Sequence, residues 1–563
     1  MPEIMTPALV YFVGAAAVLI PWRIPRGVVL LAVPLIALAS FATLPYANYN
    51  QIALFDLRLG LLRIDALSFV FALVFSLAAL LSLLFAFHLR DRLEQAASLI
   101  YAGSAIGAVF AADLVTLFVF WEGTALASVF LIWARRTEGA YHTGLRYLAI
   151  QIGSGLLLLA GLILHYRETG SIAFEHMALD SFGTWLIFIA FGIKCAFPLL
   201  HSWLQDSYPA ATLTGSVTLS AFTTKLAVYA LARGFAGTEY LIYIGAAMAF
   251  FPVFFAAIEN NLRRVLAYSL NSQLGFMVVG VGIGTPLALD GAVAHAAAST
   301  VYQSLLFMCV GAVLYRTGTD RASNLGGLWA SMPVTMAFCL AGALAISSFP
   351  FFSGFATKSL VLSASAETGH FVVWLVLLAA SVGTLLHTGI KVPWSMFLGH
   401  DQGLKVKEAP AHMLIAMGLA AALCVGIGVW PEPLYALLPY PVDYEPYTTD
   451  HVVTQLQLLL FAALAFAFLI RRGLYLAELR SVNLDVDWTY RRMLPGLLAL
   501  VSGLVQTSWQ ALSRRVDYRL DRLLVTVYRT HGPQGVLART SPTGSMVLWI
   551  AVLLGITLAL TYL

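Results

Sequence analysis

The stretch Ile187-Phe-Ile-Ala-Phe-Gly-Ile-Lys194-Cys-Ala-Phe-Pro198 places a lysine deep inside an apolar run and a proline one turn after it. An ionisable side chain at mid-bilayer costs roughly 2.5–3.5 kcal/mol on insertion scales, so such a residue is a functional candidate by default. Proline breaks or kinks a helix because it cannot donate to the hydrogen-bond ladder. Broken backbone at membrane depth needs water or protein partners. The stretch therefore predicts a discontinuous membrane helix that carries a buried charge.

A second stretch of the same kind lies in the later half of the chain. Pro350 and Gly354 precede Lys358 there, again within an apolar segment. Discontinuous helices at corresponding positions of two halves are a typical indication of a transport site at a repeat interface. The alternative is that each proline only kinks a packed helix.

The composition is that of a membrane-embedded chain. Its 563 residues are 60% hydrophobic and only 11% charged, with a mean hydropathy of +0.85, whereas soluble chains are usually about 25% charged. Apolar runs long enough to span a bilayer recur along the chain, and we expect an all-α fold of about sixteen spans. This excludes most enzymes with a cytosolic active site, and a net charge of +4 does not support nucleic-acid binding.

Basic residues predict the orientation of the spans. They fall on alternate loops, as the positive-inside rule requires when no span is missed, and the loops between them are acidic or sparsely basic. The pattern predicts a multi-pass protein with both termini outside. The basic pairs are Arg23 and Arg26, Arg90 and Arg92, Arg135 and Arg136, Arg263 and Arg264, Arg316 and Arg321, Lys405 and Lys407, and Arg471 and Arg472.

A stretch near the C-terminus has a different character. From Leu497 to Val527 apolar residues recur every three or four positions, with arginine and aspartate between them. This periodicity predicts an amphipathic helix at about 495–530 that is too charged to span a membrane. It either lies along the membrane surface or packs across neighbouring helices, and a final apolar span follows it.

No cofactor or metal site is expected in this chain. The cysteines stand singly inside apolar runs, without the paired spacing of zinc or iron–sulfur ligands. They are Cys195, Cys309, Cys339 and Cys424.

Further ionisable residues lie at depths similar to that of Lys194. Glu122 falls about eight residues into its apolar run, and Lys225, His295 and Lys358 lie within three others. The ionisation of a buried lysine depends on a neighbouring carboxylate, so moving or neutralising Glu122 would release a proton from Lys194. A row of such groups with water between them is a proton path, and we expect a transporter subunit and not an enzyme.

These residues occur in motifs that resemble the antiporter-like membrane subunits shared by respiratory complex I and Mrp-type multisubunit cation/proton antiporters. The resemblance covers roughly residues 57–399. The motifs are Phe120-Trp121-Glu122 with Ser128; Lys194-Cys-Ala-Phe-Pro198-Leu-Leu-His201-Ser-Trp203-Leu-Gln-Asp206; Lys225-Leu-Ala-Val-Tyr229-Ala-Leu-Ala-Arg233; Leu262-Arg-Arg264-Val-Leu-Ala-Tyr268-Ser269 with Ser272-Gln273-Leu-Gly275; and Ser353-Gly354-Phe355 with Lys358.

Within this family the chain most resembles the D-type component of the Mrp antiporters, in a long form. Its C-terminal extension also resembles the largest antiporter-like subunit of complex I, in which a lateral helix is thought to clamp neighbouring subunits. The motifs for the D-type component are His387-Thr-Gly-Ile-Lys391-Val-Pro393 with Gly399-His-Asp401, Asp487-Trp488-Thr-Tyr490-Arg491, and Ala538-Arg-Thr-Ser-Pro542-Thr-Gly544.

The resemblance implies two inverted five-helix repeats with discontinuous helices. We accordingly divide the chain into N-terminal helices (1–96), a first repeat that holds a proton half-channel (97–236), a second repeat (237–393), and C-terminal helices with the amphipathic helix and the last span (394–563).

The resemblance also implies roles for the charged residues. Glu122 and Lys194 match the paired carboxylate and lysine of the first half-channel, and Lys225 matches the bridging lysine. His295 matches a histidine of the central helix, and Lys358 matches the terminal charge of the second half-channel. Protons would enter one half, hop along this axis and leave by the other. Possible relay or supporting residues are His201, Asp206, Gln303, His387 and Lys391.

One position departs from the family pattern. The central segment reads His295-Ala-Ala-Ala-Ser-Thr-Val-Tyr-Gln303, with glutamine where a lysine is usual. Glutamine can relay hydrogen bonds but cannot hold an excess proton near neutral pH. The path from Lys225 to Lys358 is therefore either bridged by water or interrupted.

The leading hypothesis is a proton-translocating subunit of an Mrp-type antiporter that exchanges a monovalent cation, Na+ by preference, for protons across a bacterial inner membrane. Its partners would be the other membrane subunits of a hetero-oligomeric complex. The chain shows no carboxylate-rich cage of the kind a hard cation needs, so we expect the cation route in other subunits. Three alternatives remain: a proton-pumping subunit of a complex I-like or hydrogenase-linked redox complex, a membrane partner of an inorganic-carbon uptake complex, and a scaffold that has lost transport.

Overall fold

The computed structural model of the chain describes residues 5–20, 26–54, 57–473, 485–536, 539 and 543–562, and these are mostly helical. The chain divides into two compact units, Met1–Asn483 and Leu484–Leu563. Among the described helices, eleven are long and apolar enough to cross a membrane, and four shorter ones are apolar as well. The predicted helical membrane fold is confirmed, whereas the number sixteen stays a prediction.

The first unit opens with three helices and a β-hairpin. They are α1 (Pro7–Leu19), α2 (Arg26–Ala42), β1 (Ala47–Leu54), β2 (Leu57–Ile64) and α3 (Ala66–Phe85).

The hairpin was not predicted from the sequence. Its strands pair antiparallel, with Tyr49 opposite Leu62. Gly60, Leu62 and Ile64 are buried while the residues between them are less covered, which is the period of two expected for a strand with one buried face. The hairpin lies between two long apolar segments, where hydropathy alone indicates only a loop.

The helices that follow form two successive groups. The first group is α4 (Arg92–Phe110), α5 (Leu114–Trp133), α6 (Glu138–Thr169), α7 (Phe182–Lys194), α8 (Ser202–Ala210), α9 (Leu213–Ala221) and α10 (Thr223–Gly234). The second group is α11 (Glu239–Ile258), α12 (Leu262–Ile283), α13 (Pro286–Thr317), α14 (Pro333–Ile346), α15 (Ser353–Glu367), α16 (Phe371–Thr384) and α17 (Lys391–Pro393), with a 3-10 turn at Ala322–Asn324 and π-helical turns at Leu385–Ile390 and Trp394–Leu398.

Three helices complete the first unit, and two form the second. The first unit ends with α18 (Ala411–Val429), α19 (Glu432–Tyr435) and α20 (Thr449–Arg471), and the second contains a π-helical turn at Thr489–Met493, α21 (Leu494–His531) and α22 (Thr543–Tyr562). The amphipathic helix expected at about 495–530 is thus observed as α21, and its course along a membrane stays a prediction.

One end of the first unit carries arginine clusters, and we call it the basic end. His88, Arg135 and Ala211, which follow α3, α5 and α8, line one cavity there together with Arg263 at the start of α12. Arg136 bridges this region to Asp91 just before α4, with 2.7 Å between the charged atoms. The loops that follow alternate helices therefore meet at one end, as the positive-inside pattern predicts.

The other loops meet at the far end of the unit, which we call the opposite end. The Gly60 amide donates to the Asp113 carboxylate at 2.8 Å, and Arg233 forms a salt bridge of 2.7 Å with Asp65. The Gly237 amide donates to the Val281 carbonyl at 2.9 Å, which places the start of α11 here. Helix α4 therefore runs from the basic end to the opposite end, whereas α11 runs the other way.

The two groups of helices repeat the same end structures. Helices α6 and α13 both have 32 residues, begin after a capping threonine and end at a left-handed glycine, Gly170 or Gly318. Asp113 and Asn261 cap the preceding helices α5 and α12 with their side chains. A separation of 148 residues relates Asp113 to Asn261 and also Gly170 to Gly318.

Candidate functional site

Both discontinuous helices are observed, and their breaks share one backbone conformation. Lys194 is the last residue of α7, and Ala196 and Leu199 follow it with φ of +61° and +70°. Ser348 and Phe351 follow α14 with φ of +57° and +72°. Non-glycine residues rarely adopt this left-handed region because Cβ approaches the backbone too closely. The proline at the centre of each break therefore sits in a defined turn, and the alternative of a simple kink is excluded.

Backbone hydrogen bonds close each break in the same way. The Phe197 amide donates to the Gly192 carbonyl at 3.0 Å, and the Phe349 amide donates to the Leu344 carbonyl at 3.0 Å. Each bond spans five residues, one more than in an α-helix, and provides a partner for an amide at the point where the chain leaves the helix. Each break therefore has a defined backbone geometry, which fixes the position of the adjacent lysine.

Lys194 is held against α5 by neutral partners. Its side chain is fully buried, and its ammonium donates to the Trp121 carbonyl at 2.5 Å and to the Thr124 hydroxyl at 2.8 Å. The ammonium also lies 4.3 Å from the centre of the Trp121 ring, within range of a cation–π interaction. Lys194 therefore contacts the residues on both sides of Glu122.

Glu122 lies on α5 and faces α6. Its Oε1 atom fills the space above Gly155, where any Cβ would come within 1.5 Å of it. Within the described residues Oε1 is buried without a hydrogen-bond partner, and no salt bridge to Lys194 forms. The two groups nevertheless attract each other electrostatically. The pair expected from the resemblance is therefore brought together. Lys194 bonds residues that flank Glu122 and forms no direct bond with Glu122 itself.

Lys225 lies at a second irregular point in the first group. Helices α9 and α10 meet at Phe222, whose ψ of −68° departs from helical geometry. The fully buried ammonium of Lys225 donates to the Ser220 carbonyl at 2.8 Å. The lysine therefore donates to a buried carbonyl at the point where the helix is interrupted.

His295 lies in a hydrogen-bonded cluster within the second group. Its Nδ1 lies 3.2 Å from the Thr357 hydroxyl on α15, and its Nε2 lies 3.3 Å from the Tyr302 hydroxyl. Tyr302 also donates to the Gln273 amide oxygen at 3.3 Å, which connects α13 to α12. Hydrogen bonds between these side chains therefore connect three helices.

Lys358 lies beside the second break. Its buried ammonium donates to the Ile346 carbonyl at 2.7 Å, at the end of α14, and lies 4.9 Å from the centre of the Phe276 ring. Phe276 in turn contacts the His295 ring, with 6.0 Å between centroids. The structure thus gathers Lys358 and His295 around one aromatic ring.

Gln303 is fully buried on α13. Neither its amide nitrogen nor its amide oxygen has a hydrogen-bond partner in the part of the chain that the structure describes. No direct bond therefore connects it to His295 or to Lys225, and whether it interrupts the path stays a prediction.

The expected supporting residues occupy diverse surroundings. Asp206 forms a salt bridge of 2.8 Å with Arg146, and the His201 ring lies 4.6 Å from that of Phe251. Lys391 donates to the carbonyls at the end of α11, including that of Glu259 at 2.6 Å. Their relay roles stay predictions.

His387 is the remaining supporting residue. It lies in a π-helical turn and is fully buried, with Nδ1 at 2.7 Å from the Thr388 hydroxyl. Its Nε2 has no hydrogen-bond partner among the described residues.

Several residues of the site were missed by sequence reasoning. Thr124 and Tyr302 are neutral, and Gly155 has no side chain, so a search for charges within apolar runs passes over them. The motif Phe-Trp-Glu gave one indication of these contacts. Trp121 directly precedes Glu122, and both its indole face and its carbonyl can bind an ammonium group.

Buried charges beside matched helix breaks are typical of the transporter class of polytopic membrane proteins. Residues 111–385 match the family described as NADH:quinone oxidoreductase/Mrp antiporter, transmembrane. Just under half of the chain is thus similar to this family of antiporter-like membrane subunits, as the motifs around Glu122 and Lys194 indicated.

Curated relatives share part of their length with this chain. Hydrogenase-4 component B of Escherichia coli K12 is 28% identical over 448 residues, which cover 69% of this chain and 65% of that protein. The A-type component of the Na(+)/H(+) antiporter of Alkalihalophilus pseudofirmus is 29% identical over 424 residues, which cover 66% of this chain and 52% of that protein. The chain thus spans about half to two thirds of the length of these relatives, and its resemblance to the D-type component stays a prediction.

Solved structures share the fold. The membrane-bound sulfane sulfur reductase, an archaeal respiratory complex, contains a chain with a TM-score of 0.72 and 22% identity, and the match covers 99% of this chain and all of that one. A chain of the Mrp complex from Dietzia sp. DQ12-45-1b has a TM-score of 0.67 and 21% identity, with 80% of this chain and 95% of that one covered.

Proposed function

We propose that this chain is a proton-translocating membrane subunit of a multisubunit Mrp-type antiporter that exchanges protons for a monovalent cation, with Na+ as the preferred cation. The observation that carries the proposal is the fully buried Lys194 ammonium at a built helix break, beside the Glu122 carboxyl. A buried charge of this kind is expensive and marks proton pathways in membrane proteins. The antiporter relatives support the choice of partners and cation.

In the proposed mechanism Glu122 and Lys194 form the loading step of the first half. When Glu122 is ionised, its charge favours the ammonium form of Lys194. When Glu122 takes up a proton, that support is lost and Lys194 releases its own proton towards Lys225. Because Lys194 is otherwise bonded to a carbonyl and a hydroxyl, Glu122 is the group whose ionisation can switch it.

In the second half the proton would continue through His295 to Lys358. Hydrogen bonds of His295 to Thr357 and Tyr302 support this role. The segment that contains Gln303 would be crossed by water, since glutamine cannot itself hold the proton.

We further propose that residues 97–236 and 237–393 are inverted repeats. Support comes from the opposite directions of α4 and α11, the two helix breaks with positive φ at equivalent residues, and the matched caps of α6 and α13. We place the chain in a bacterial inner membrane with other membrane subunits as partners and with both termini outside.

The test measures cation-driven proton movement in everted membrane vesicles that contain the intact native assembly. Glu122→Gln and Lys194→Met should each reduce transport at least about a hundredfold, because each removes a proton carrier, while the amount of chain in the purified assembly stays normal. Glu138→Gln is the matched control, since the Glu138 side chain is 92% exposed at the start of α6. Normal transport in both site variants would refute the proposed function.

A second candidate is a proton-pumping subunit of a redox complex. It is favoured by the full-length structural match to a chain of the sulfane sulfur reductase complex, which includes the C-terminal extension, and by the hydrogenase-4 relative. Mass spectrometry of the assembly purified in mild detergent separates the two. Small membrane partners without redox proteins support the antiporter, whereas iron–sulfur, flavin or hydrogenase subunits favour the redox pump.

A further inference from the structure

A cavity of about 490 Å³ opens at the basic end of the first unit. It lies between the loops after α3, α5 and α8 and the start of α12, and the side chain of Glu94 forms part of its lining. Glu94 is 3% exposed and belongs to the first turn of α4. A carboxyl group that is buried in a membrane helix and also reaches a cavity at the surface is placed to exchange with solvent.

Two threonine hydroxyls hold this carboxyl group. Thr212 and Thr214 both donate to Glu94 Oε1, at 2.6 and 2.5 Å. Thr212 is also the N-cap of α9, whose continuation α10 carries Lys225. Glu94 is therefore attached directly to the interrupted helix of the proposed proton axis.

Two arginines in or near the cavity are already paired with aspartates, and a third, Arg135, donates to the Pro209 carbonyl. Arg136 bridges Asp91 at 2.7 Å, and Arg263 bridges Asp320 at 2.8 Å. Across the described ranges of the chain, Glu94 makes no salt bridge. It is thus a carboxyl group whose protonation would not break an ion pair.

A polar stripe leads from Glu94 into the membrane along α4. Glu94, Ser98 and Tyr101 are spaced by four and three residues, so they share one face of the helix, and all three are buried. At the helical rise of 1.5 Å per residue, Tyr101 lies about 10 Å deeper than Glu94. In a chain that is 60% hydrophobic, the composition alone does not account for three buried polar residues on one helical face.

A second stripe runs along the facing helices α9 and α10. Thr214 and Thr218 lie one turn apart, and the Thr218 hydroxyl donates to the Thr214 carbonyl at 3.2 Å. The two stripes meet where the Tyr101 hydroxyl lies 2.6 Å from that of Thr223 and accepts from its amide at 3.0 Å. Thr223 is two residues before Lys225, whose ammonium bonds the Ser220 carbonyl in the same interrupted segment.

We propose that Glu94 is the proton acceptor of an uptake route that leads from the cavity at the basic end to Lys225. The carboxylate takes a proton from water in the cavity and becomes a neutral carboxyl group. It then gives this proton to the hydroxyl and water chain between the two stripes, and Lys225, as a free amine, receives a proton from the other end of that chain. Glu94 returns to the carboxylate, each hydroxyl and water of the chain gives up one O–H proton and gains another, and Lys225 becomes an ammonium group. This inference rests on the proposed function, since it supplies protons to that axis.

A purely structural role for Glu94, as an anion that caps α9, makes a different prediction. Glutamine keeps an oxygen that accepts from Thr212 and Thr214 but cannot carry a proton, whereas aspartate keeps a carboxyl group. With a purely structural role both replacements should change transport and stability to the same extent, whereas a proton acceptor should be lost in Glu94→Gln and kept in Glu94→Asp.

The test compares Glu94→Gln, Glu94→Asp and the control Glu138→Gln in vesicles that contain the intact assembly. We expect Glu94→Gln to lower cation-driven proton transport at least about tenfold with normal assembly and thermal stability, and Glu94→Asp to keep at least about a third of it. Glu138→Gln should match the wild type.

The variants of Glu94 and Glu122 together separate the uptake route from the proposed function. Wild-type transport in Glu94→Gln, together with a block in Glu122→Gln, would overturn the uptake route and leave the function intact. Equal losses in Glu94→Gln and Glu94→Asp, with lowered thermal stability in both, would assign Glu94 to capping and also overturn the route.

Discussion

The two groups of helices share a backbone but hold their charges differently. In the first group the lysine ends the helix before the break, as Lys194 does in α7. The matching last residue of α14 is Ile346, and its carbonyl is instead bonded by Lys358 from the helix after the break. One backbone design therefore supports an ammonium on either side of the break.

The partner of the lysine also differs between the groups. Residues 148 positions after Glu122 and Gly155 are Leu270 and Gln303. In the first group the glycine makes room for a carboxyl group. In the second group the corresponding places hold an alkyl group and a buried amide. The proposed acid–lysine switch therefore has its carboxyl group only in the first group, and at these positions the second group offers only the amide of Gln303 as a relay.

Gly155→Ala should break the comparison most strongly. A Cβ at this position would come within 1.5 Å of Glu122 Oε1, so the carboxyl group must move away from Lys194. We expect transport in vesicles to fall at least about tenfold. Gly153→Ala, two residues away on the same helix with nothing within 4 Å of its Cβ, is the control and should transport normally. Equal transport by both variants would mean that the position of Glu122 is unimportant.

Gln303→Lys should sharpen the comparison by giving the second group a proton carrier. If the glutamine limits the path, the lysine should raise transport by about two- to threefold in the same assay. Gln303→Leu, which buries a similar volume without polar atoms, is the matched control and should not raise it. Transport unchanged by the lysine in a stably assembled complex would argue against a limiting gap at this position.

The breaks themselves can be compared by substituting glycine. Ala196→Gly and Ser348→Gly each relieve a left-handed residue whose conformation costs about 1–2 kcal/mol, against about 0.5–1 kcal/mol of added chain entropy in the unfolded state. We expect a small rise in the midpoint of thermal unfolding in detergent. Ala190→Gly, inside α7, should lower the midpoint. A drop in both break variants would show that the positive φ angles are not strained.

The smallest expected effect concerns a histidine pair at the basic end. His88 Nδ1 lies 3.0 Å from His412 Nε2, and burial lowers the pKa of His88 below its usual value of about 6.5. The folded chain therefore disfavours the proton that the unfolded chain accepts, so stability present above about pH 6.5 is lost as the pH falls. As the pH falls, the free energy of unfolding should decrease more for the wild type than for His88→Phe, and this difference should be less than about 1 kcal/mol. Parallel pH profiles would contradict this.

The sequence predicted the discontinuous helices because proline and a buried lysine each leave a local signal. Lys194 with Pro198, and Lys358 with Pro350, were placed correctly beside breaks. The partners of these lysines could not be predicted, because Trp121 and Ile346 contribute backbone carbonyls, which every residue has. Gly155 escaped for a related reason, since only the fold reveals that a glycine faces Glu122. The hairpin was missed because its alternating pattern is short and lies between stronger helical signals.

The lysines at the interrupted helices have a counter-charge that never titrates. Lys225 and Lys358 donate to carbonyls at the ends of α9 and α14, and a helix C-terminus carries roughly half a negative elementary charge from its aligned peptide dipoles. A carboxylate loses its charge in acid, whereas this dipole is the same at every pH. The electrostatic field of the helix end at each lysine nitrogen is thus the same before and after a proton is gained or lost. Moving one elementary charge across the whole membrane is worth about 2.3 kcal/mol per 100 mV, so proton transfer through these lysines would respond to the membrane voltage.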